Sequence, residues 1–417
     1  MAQFYFSKNA LAPLMKKLRS NGKGIIPTDQ KKVFVTLFVA ILTTVTGVGI
    51  VVPLLPVYAN DLGASGIYVG MIFGAFTLSR IFLLPVFGRL SDRRGRKPFI
   101  VAGLLSYTII SFAFVFSRTI ESLILLRFIQ GACSAMIIPV VQAYIGEITP
   151  EGSEGYSMGL FNLSMFLSLS LGPLIGGGIK DIWSLNAAFS WMGILSAIGL
   201  VLCAGLLPKV SREPGRYRKD DVTPWPDLLT EKGLIRLFVF RYAYTACIGV
   251  IWCFLPLYAV QTFHLSGSQT GILVMLGVFI SGLLQLPMGY VADRFNKTGM
   301  VIAGGCISAI GMWLPYHAEG FNGLLAAVTI FGLGGGISMP AIMAFAVIKG
   351  EEKKAMGTVM SLMTVAHSFG MLTGSMAAGM TMDFYSLKFS FPCGAMMMTA
   401  GTVCFLISRP RARTEEN

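Results

Sequence analysis

The chain has 417 residues, 54% of them hydrophobic and 13% charged, with a mean hydropathy of +0.70. Soluble domains carry about a quarter charged residues, so the composition excludes a soluble enzyme, a disordered chain and a secreted disulfide scaffold. The formal charge of +13 admits a nucleic-acid partner only until the basic residues are placed along the chain.

A membrane span needs about 20 mostly apolar residues to cross a hydrocarbon core about 30 Å thick. In chain order such windows fall at 33–58, 66–88, 99–116, 122–144, 158–178, 187–207, 237–260, 267–288, 298–316, 321–346, 357–381 and 388–408. They predict an all-α integral membrane protein of twelve transmembrane helices. Before them, residues 1–32 form a tail without the apolar core of a signal peptide. Within it, 10–19 is a short basic amphipathic stretch suited to the membrane surface or to a plain unstructured tail. The longest polar break, 208–236, divides a six-helix bundle at 33–207 from a second at 237–408, and 409–417 is a polar tail. Forty-eight glycines fit close packing of membrane helices. The seven cysteines all lie in apolar stretches without a CxxC pair and read as packing residues, with no metal site.

With the first tail inside the cell, 27 of the 33 basic residues fall in cytoplasmic segments, and only Arg118, Lys180 and Lys388 in external loops. That asymmetry is the positive-inside rule. Both termini are therefore expected in the cytoplasm, and the charge marks topology rather than nucleic-acid binding.

The two bundles repeat one another. Leu55-Pro56-Val57-Tyr58-Ala59 recurs as Leu255-Pro256-Leu257-Tyr258-Ala259, 200 residues later. Gly88, Asp92 and Arg93 recur as Gly289, Asp293 and Arg294, and Gly131 and Pro139 as Gly332 and Pro340, all 201 later. A duplicated six-helix unit builds carriers with a binding site near the bilayer midplane between the halves.

Three motifs bring a family into view. Gly88-Arg-Leu-Ser-Asp92-Arg93-Arg-Gly95-Arg96-Lys97 follows the second span, Arg127-Phe-Ile-Gln130-Gly131 lies in the fourth, and Gly172-Pro173-Leu-Ile-Gly176-Gly177 in the fifth. With the run Val52 to Tyr58, they resemble the loop 2–3, RxxQG and GPxxGG signatures of the major facilitator superfamily. The last is usual in its twelve-helix drug:proton antiporters. The resemblance covers essentially the whole chain. It implies that Asp92 holds the start of helix 11, with Arg93, Arg96 and Glu147 in a latch stabilising the outward-open state. Asp293 and Arg294 would form a weaker second copy, because Phe295-Asn296 replaces the arginine-glycine run. On physical grounds Gly88 leaves room for another helix, and Asp92 can favour a helix N-terminus. Pro173 removes a helix hydrogen bond and bends span 5, while Gly172, Gly176 and Gly177 permit tight contact.

Charges inside a span are functional candidates. Arg80, Arg127 and Arg241 lie within spans, and His367 near the middle of span 11 titrates near neutral pH. No predicted span interior holds an Asp or Glu, so a proton exchanger would lack its simplest proton site. Three cavity arginines without acidic partners would instead favour a substrate with a negative group. Phe161, Phe166, Trp252, Phe254, Met275, Met339, Met343, Met360 and Met363 are either an adaptable apolar lining or ordinary packing.

The expectation is an inner-membrane secondary transporter working by alternating access, most simply proton-coupled efflux of amphipathic small molecules. Its partners would be a small-molecule substrate, protons and lipids, with no cofactor, and the protein would be a monomer and not an enzyme. Organic-anion uptake or exchange through Arg80 and Arg127 is the alternative, and a sensor that binds without transporting is a third.

Overall fold

The computed structural model describes residues 28–149, 154–208, 231–352 and 356–407, apart from some side chains within them. The stretch 10–19, residues 209–230 of the central polar segment and the tail 409–417 lie outside these residues. The first half comprises α1 (Thr28–Val51, continued by a short helix Leu55–Asp61), α2 (Gly66–Arg94), α3 (Arg96–Ala113), α4 (Ile120–Ile148), α5 (Glu154–Ile182) and α6 (Leu185–Leu206). The second comprises α7 (Lys232–Phe263), α8 (Gly267–Arg294), α9 (Lys297–Trp313), α10 (Phe321–Glu352), α11 (Met356–Phe384) and α12 (Ser390–Ile407). Among the described residues eleven helical stretches are long and apolar enough to cross a membrane, and α11 fills the one remaining expected window, 357–381. The fold is an all-α integral membrane protein of two six-helix halves.

Most helices overrun the apolar windows, because hydropathy registers only the part in hydrocarbon while the hydrogen-bonded helix continues into the polar interface. Thus α4 extends to Ile148 and α7 begins at Lys232, inside the polar break expected at 208–236. The loop expected after the second span is corrected in the same way. Residues through Arg94 are helical, Gly95 alone turns the chain at φ +89°, and α3 begins at Arg96. The second copy turns differently: Asn296 caps α9, its side chain accepting from the N–H groups of Thr298 and Gly299.

Within the first half α1 packs on α5 and α6, and α2 on α4; within the second α7 packs on α11 and α12, and α8 on α10. The halves meet mainly along two seams, α2 with α11 and α5 with α8. Large apolar side chains such as Phe82, Val201, Leu283 and Phe384 stand exposed on the outer surface, where lipid tails would cover them.

Candidate functional site

The two seams are closed at one end of the bundle by backbone-to-backbone contact. A methyl group at Gly66 would lie 2.5 Å from the Gly379 carbonyl, and one at Gly70 lies 2.7 Å from the Ser375 carbonyl. In the other seam a methyl at Gly177 would strike the Gly267 carbonyl. The GPxxGG run therefore touches two neighbours. Gly172 and Gly176 lie against Gly49 and Ile50 of α1, while Gly177 and Pro173 lie against Gly267 and Gly271 of α8.

Each closed seam also carries a carboxylate across the interface. Asp181, at the end of α5, accepts the N–H groups of Gly267 (2.8 Å) and Ser268 (2.7 Å) and the Ser268 hydroxyl (2.6 Å) at the start of α8. Asp383, at the end of α11, accepts the N–H groups of Gly66 (2.5 Å) and Ile67 (2.8 Å) at the start of α2. Free N–H groups and the helix dipole both make a helix N-terminus favourable for an anion. Gly66 and Gly267 are 201 positions apart, and Asp181 and Asp383 are 202, so the two caps are copies of one device. The sequence showed only that neither aspartate lies in a span interior; the repeat offset was the signal that could have paired them.

At the opposite end the seams part. Among the described residues a methyl at Gly88 or Gly289 meets nothing within 4 Å, so the helix approach expected at Gly88 is not made by them in this conformation. Each half carries its own ion pair at this end. Arg96 donates to Glu147 Oε1 through Nη2 (2.8 Å) and Nε (3.0 Å) and to Ser91 Oγ through Nη1 (2.6 Å). In the second half Lys349 pairs with Glu231 (3.4 Å) and Glu352 (2.5 Å). Arg93 is exposed, and Arg294 lies over the Tyr290 ring at 3.8 Å. The side chains of Asp92 and Asp293 lie outside the described residues, so the contact of Asp92 with helix 11 remains an expectation.

The arginines within the spans differ in their surroundings. Arg127 is 4% exposed and sealed inside the first half, not left free in a cavity as the sequence reading had it. Its Nη1 donates to Gln130 Oε1 (2.9 Å), Gln130 Nε2 donates to the Tyr107 hydroxyl (2.9 Å), and the guanidinium lies 4.5 Å from the Phe76 ring centroid. The RxxQG motif thus ties α4 to α3 and α2, and a methyl at Gly131 would strike the Phe76 carbonyl. Arg80 and Arg241 have no such chain. Arg80 lies beside Phe76, and among the described residues Arg241 Nη1 reaches the Met339 sulfur at 2.8 Å. Phe161 and Phe254 are fully buried and belong to the packed core, not to a lining. Arg236, unremarked in the sequence, is buried over the Phe405 ring at 4.0 Å. No group of acidic, histidine and cysteine side chains fit to hold a metal occurs among the described residues.

Two glycine-packed seams closed at one end and open at the other, between two copies of a six-helix unit, define a membrane carrier. The sequence profile of the Major Facilitator Superfamily matches residues 37–258 and 242–417, and the chain belongs to that superfamily. It is 29% identical over 383 residues to the MFS-type transporter MJ1560 of Methanocaldococcus jannaschii, covering 90% of this chain and 98% of that one. It is 27% identical over 398 residues to the quinolone resistance protein NorA of Staphylococcus aureus, covering 93% of this chain and 99% of that one. Among solved structures, the nucleoside transporter NupG superposes with a TM-score of 0.76 at 12% identity, over 91% of this chain and 100% of that one. A bacterial homologue of the human lysosomal transporter Spinster, in an inward-facing unoccupied conformation, gives 0.75 at 13% identity, over 92% and 96%.

Proposed function

We propose that the protein exports amphipathic small molecules by alternating access, in exchange for protons. The observation that carries this reading is the pair of seams, closed at the Asp181 and Asp383 end and parted at the Arg96 end. If the termini are cytoplasmic, as the distribution of basic residues supports, the parted end faces the cytoplasm and the conformation is inward-facing. In the outward-facing state the caps would break and Asp92, Arg93, Arg96 and Glu147 would close the cytoplasmic end. Residues 33–207 and 237–408 would rock as two bodies around the centre. The full-length similarity to a quinolone resistance protein supports an amphipathic substrate. His367 is the residue to test for proton exchange, since every Asp and Glu in the described helices lies within three residues of a helix end. The protein would work as a monomer in the inner membrane.

Purified protein in liposomes loaded with a pH dye tests this. Under an imposed proton gradient, a lipophilic fluorescent compound or a quinolone should trigger proton movement and itself be moved, and His367→Gln should uncouple the two. Flux without proton movement would remove the coupling, and binding without flux would return the protein to the class of sensors.

A further inference from the structure

Three buried polar atoms within the spans find no hydrogen-bond partner among the described residues: Arg80 Nε, Arg241 Nε and His367 Nδ1. Arg80 stands at the midpoint of α2, with 29 residues from Gly66 to Arg94, about 21 Å from either end at a rise of 1.5 Å per residue. Gly66, Gly70 and Gly74 of α2 lie in turn against Gly379, Ser375 and Leu372 of α11, a register that brings Arg80 level with His367. The Thr245 hydroxyl, one turn on from Arg241, lies 3.3 Å from the Ala366 carbonyl beside His367. The cluster therefore bridges the halves, with Arg80 supplied by the first and Arg241 and His367 by the second.

What surrounds the two guanidinium groups is soft. Arg80 has the Phe76 ring at 5.6 Å, and Arg241 has the Met339 thioether at 2.8 Å. A thioether is a weak acceptor and a ring face contributes modest attraction, so neither replaces the hydration of a cation. Charges at membrane depth are stable only when paired or solvated, and no described acidic residue reaches this depth. Arg127 provides the internal contrast, because its Gln130–Tyr107 chain gives it a local partner. Guanidinium groups present planar forks of donors that match the oxygens of an anion.

We propose that Arg80, Arg241 and His367 form an anion subsite between the halves. It takes the carboxylate, sulfonate or phosphate head of an amphipathic small molecule whose apolar body rests on Phe76, Met339 and Met343. An anion held from both sides draws the halves together, which links occupancy to closure. The proposal rests on the transporter reading but not on direction or coupling.

The test is equilibrium binding to the full chain in phosphatidylcholine nanodiscs, using naphthalene-2-sulfonate, naphthalene-2-carboxylate and 2-naphthylmethylammonium. The two anions should bind at least about tenfold more tightly than the ammonium probe. Arg80→Gln and Arg241→Gln should each weaken the anions about tenfold, as expected for a lost bond between charged groups, without weakening the ammonium. Arg80→Lys and Arg241→Lys should restore part of the loss, which with an unchanged thermal midpoint separates binding from folding. Equal affinity for all three probes, or equal loss of all three in the variants, overturns the subsite. Anion binding weaker in phosphatidylglycerol than in phosphatidylcholine nanodiscs at a salt concentration that screens the bilayer charge would support it, by showing a lipid headgroup competing there. Binding of that lipid with none of the soluble anions would overturn the small-molecule assignment. Flux of amphipathic compounds together with anion binding untouched by Arg80→Gln would keep the transporter and remove the subsite, whereas anion binding without any flux would keep the subsite and remove the transporter.

Discussion

At the scale of single residues, similar letters in the sequence have unlike consequences. Arg80 and Arg127 both read as an arginine in an apolar helix, and only the neighbours supplied by α2 and α3 separate them. The RxxQG motif made Gln130 legible as the partner, but Tyr107 lies 23 residues away in sequence and carries no motif. Gly95 is the reverse case, with a function written in its backbone. At φ +89° and ψ 158° it turns α2 directly into α3, in a region that any side chain strains by about 1–3 kcal/mol. Gly95→Ala should lower the thermal unfolding midpoint in detergent, whereas Asn296→Ala at the equivalent turn should cost about 1 kcal/mol through loss of the cap. An unchanged midpoint in Gly95→Ala would mean that the turn relaxes into another conformation.

At the scale of elements, the helices and their pairing into repeats were legible because hydrophobic length and a constant offset are local or periodic signals. The seams were not. Glycine is common throughout the chain, and which glycines meet is decided by the packing of helices from opposite halves. Span 5 illustrates this: GPxxGG marked tight packing, but not that Gly177 faces α8 while Gly172 and Gly176 face α1. Gly177→Val should therefore force α5 from α8 and reduce transport, while the same change at Gly178, which meets nothing within 4 Å, should be tolerated. Comparable flux for both variants in proteoliposomes would show that the seam yields. The aspartate caps were hidden for a related reason, since Asp383 meets a helix start 317 residues away. Asp181→Ala or Asp383→Ala should each favour the conformation open at that end. The expected shift is about 1–2 kcal/mol, a 5- to 30-fold change in population. Spin labels at Arg118→Cys and Glu319→Cys, one in each half, would read it as a longer distance; an unchanged distance would reduce the caps to local packing.

At the scale of the whole molecule, the number of spans and their duplication followed from composition and repeat, but the conformation did not. One sequence encodes both ends of the transport cycle, so no pattern in it can say which end is closed. The parted seams make that state testable. Gly88→Cys in a background without native cysteines should react readily with a water-soluble maleimide, and a transported substrate that favours closure should slow the reaction. Labelling indifferent to every transported compound would mean that this end stays open through the cycle.

The two aspartate caps sit on opposite flanks of the same slit, one anchored in each half. If the halves are stiff, opening must break both at once, and the free energies lost in Asp181→Ala and Asp383→Ala should simply add in the double variant. If either half bends, one flank can gape while the other holds, and the sum will fail. The departure from additivity is then a measure of the compliance of a six-helix bundle, obtained from two residues at its rim.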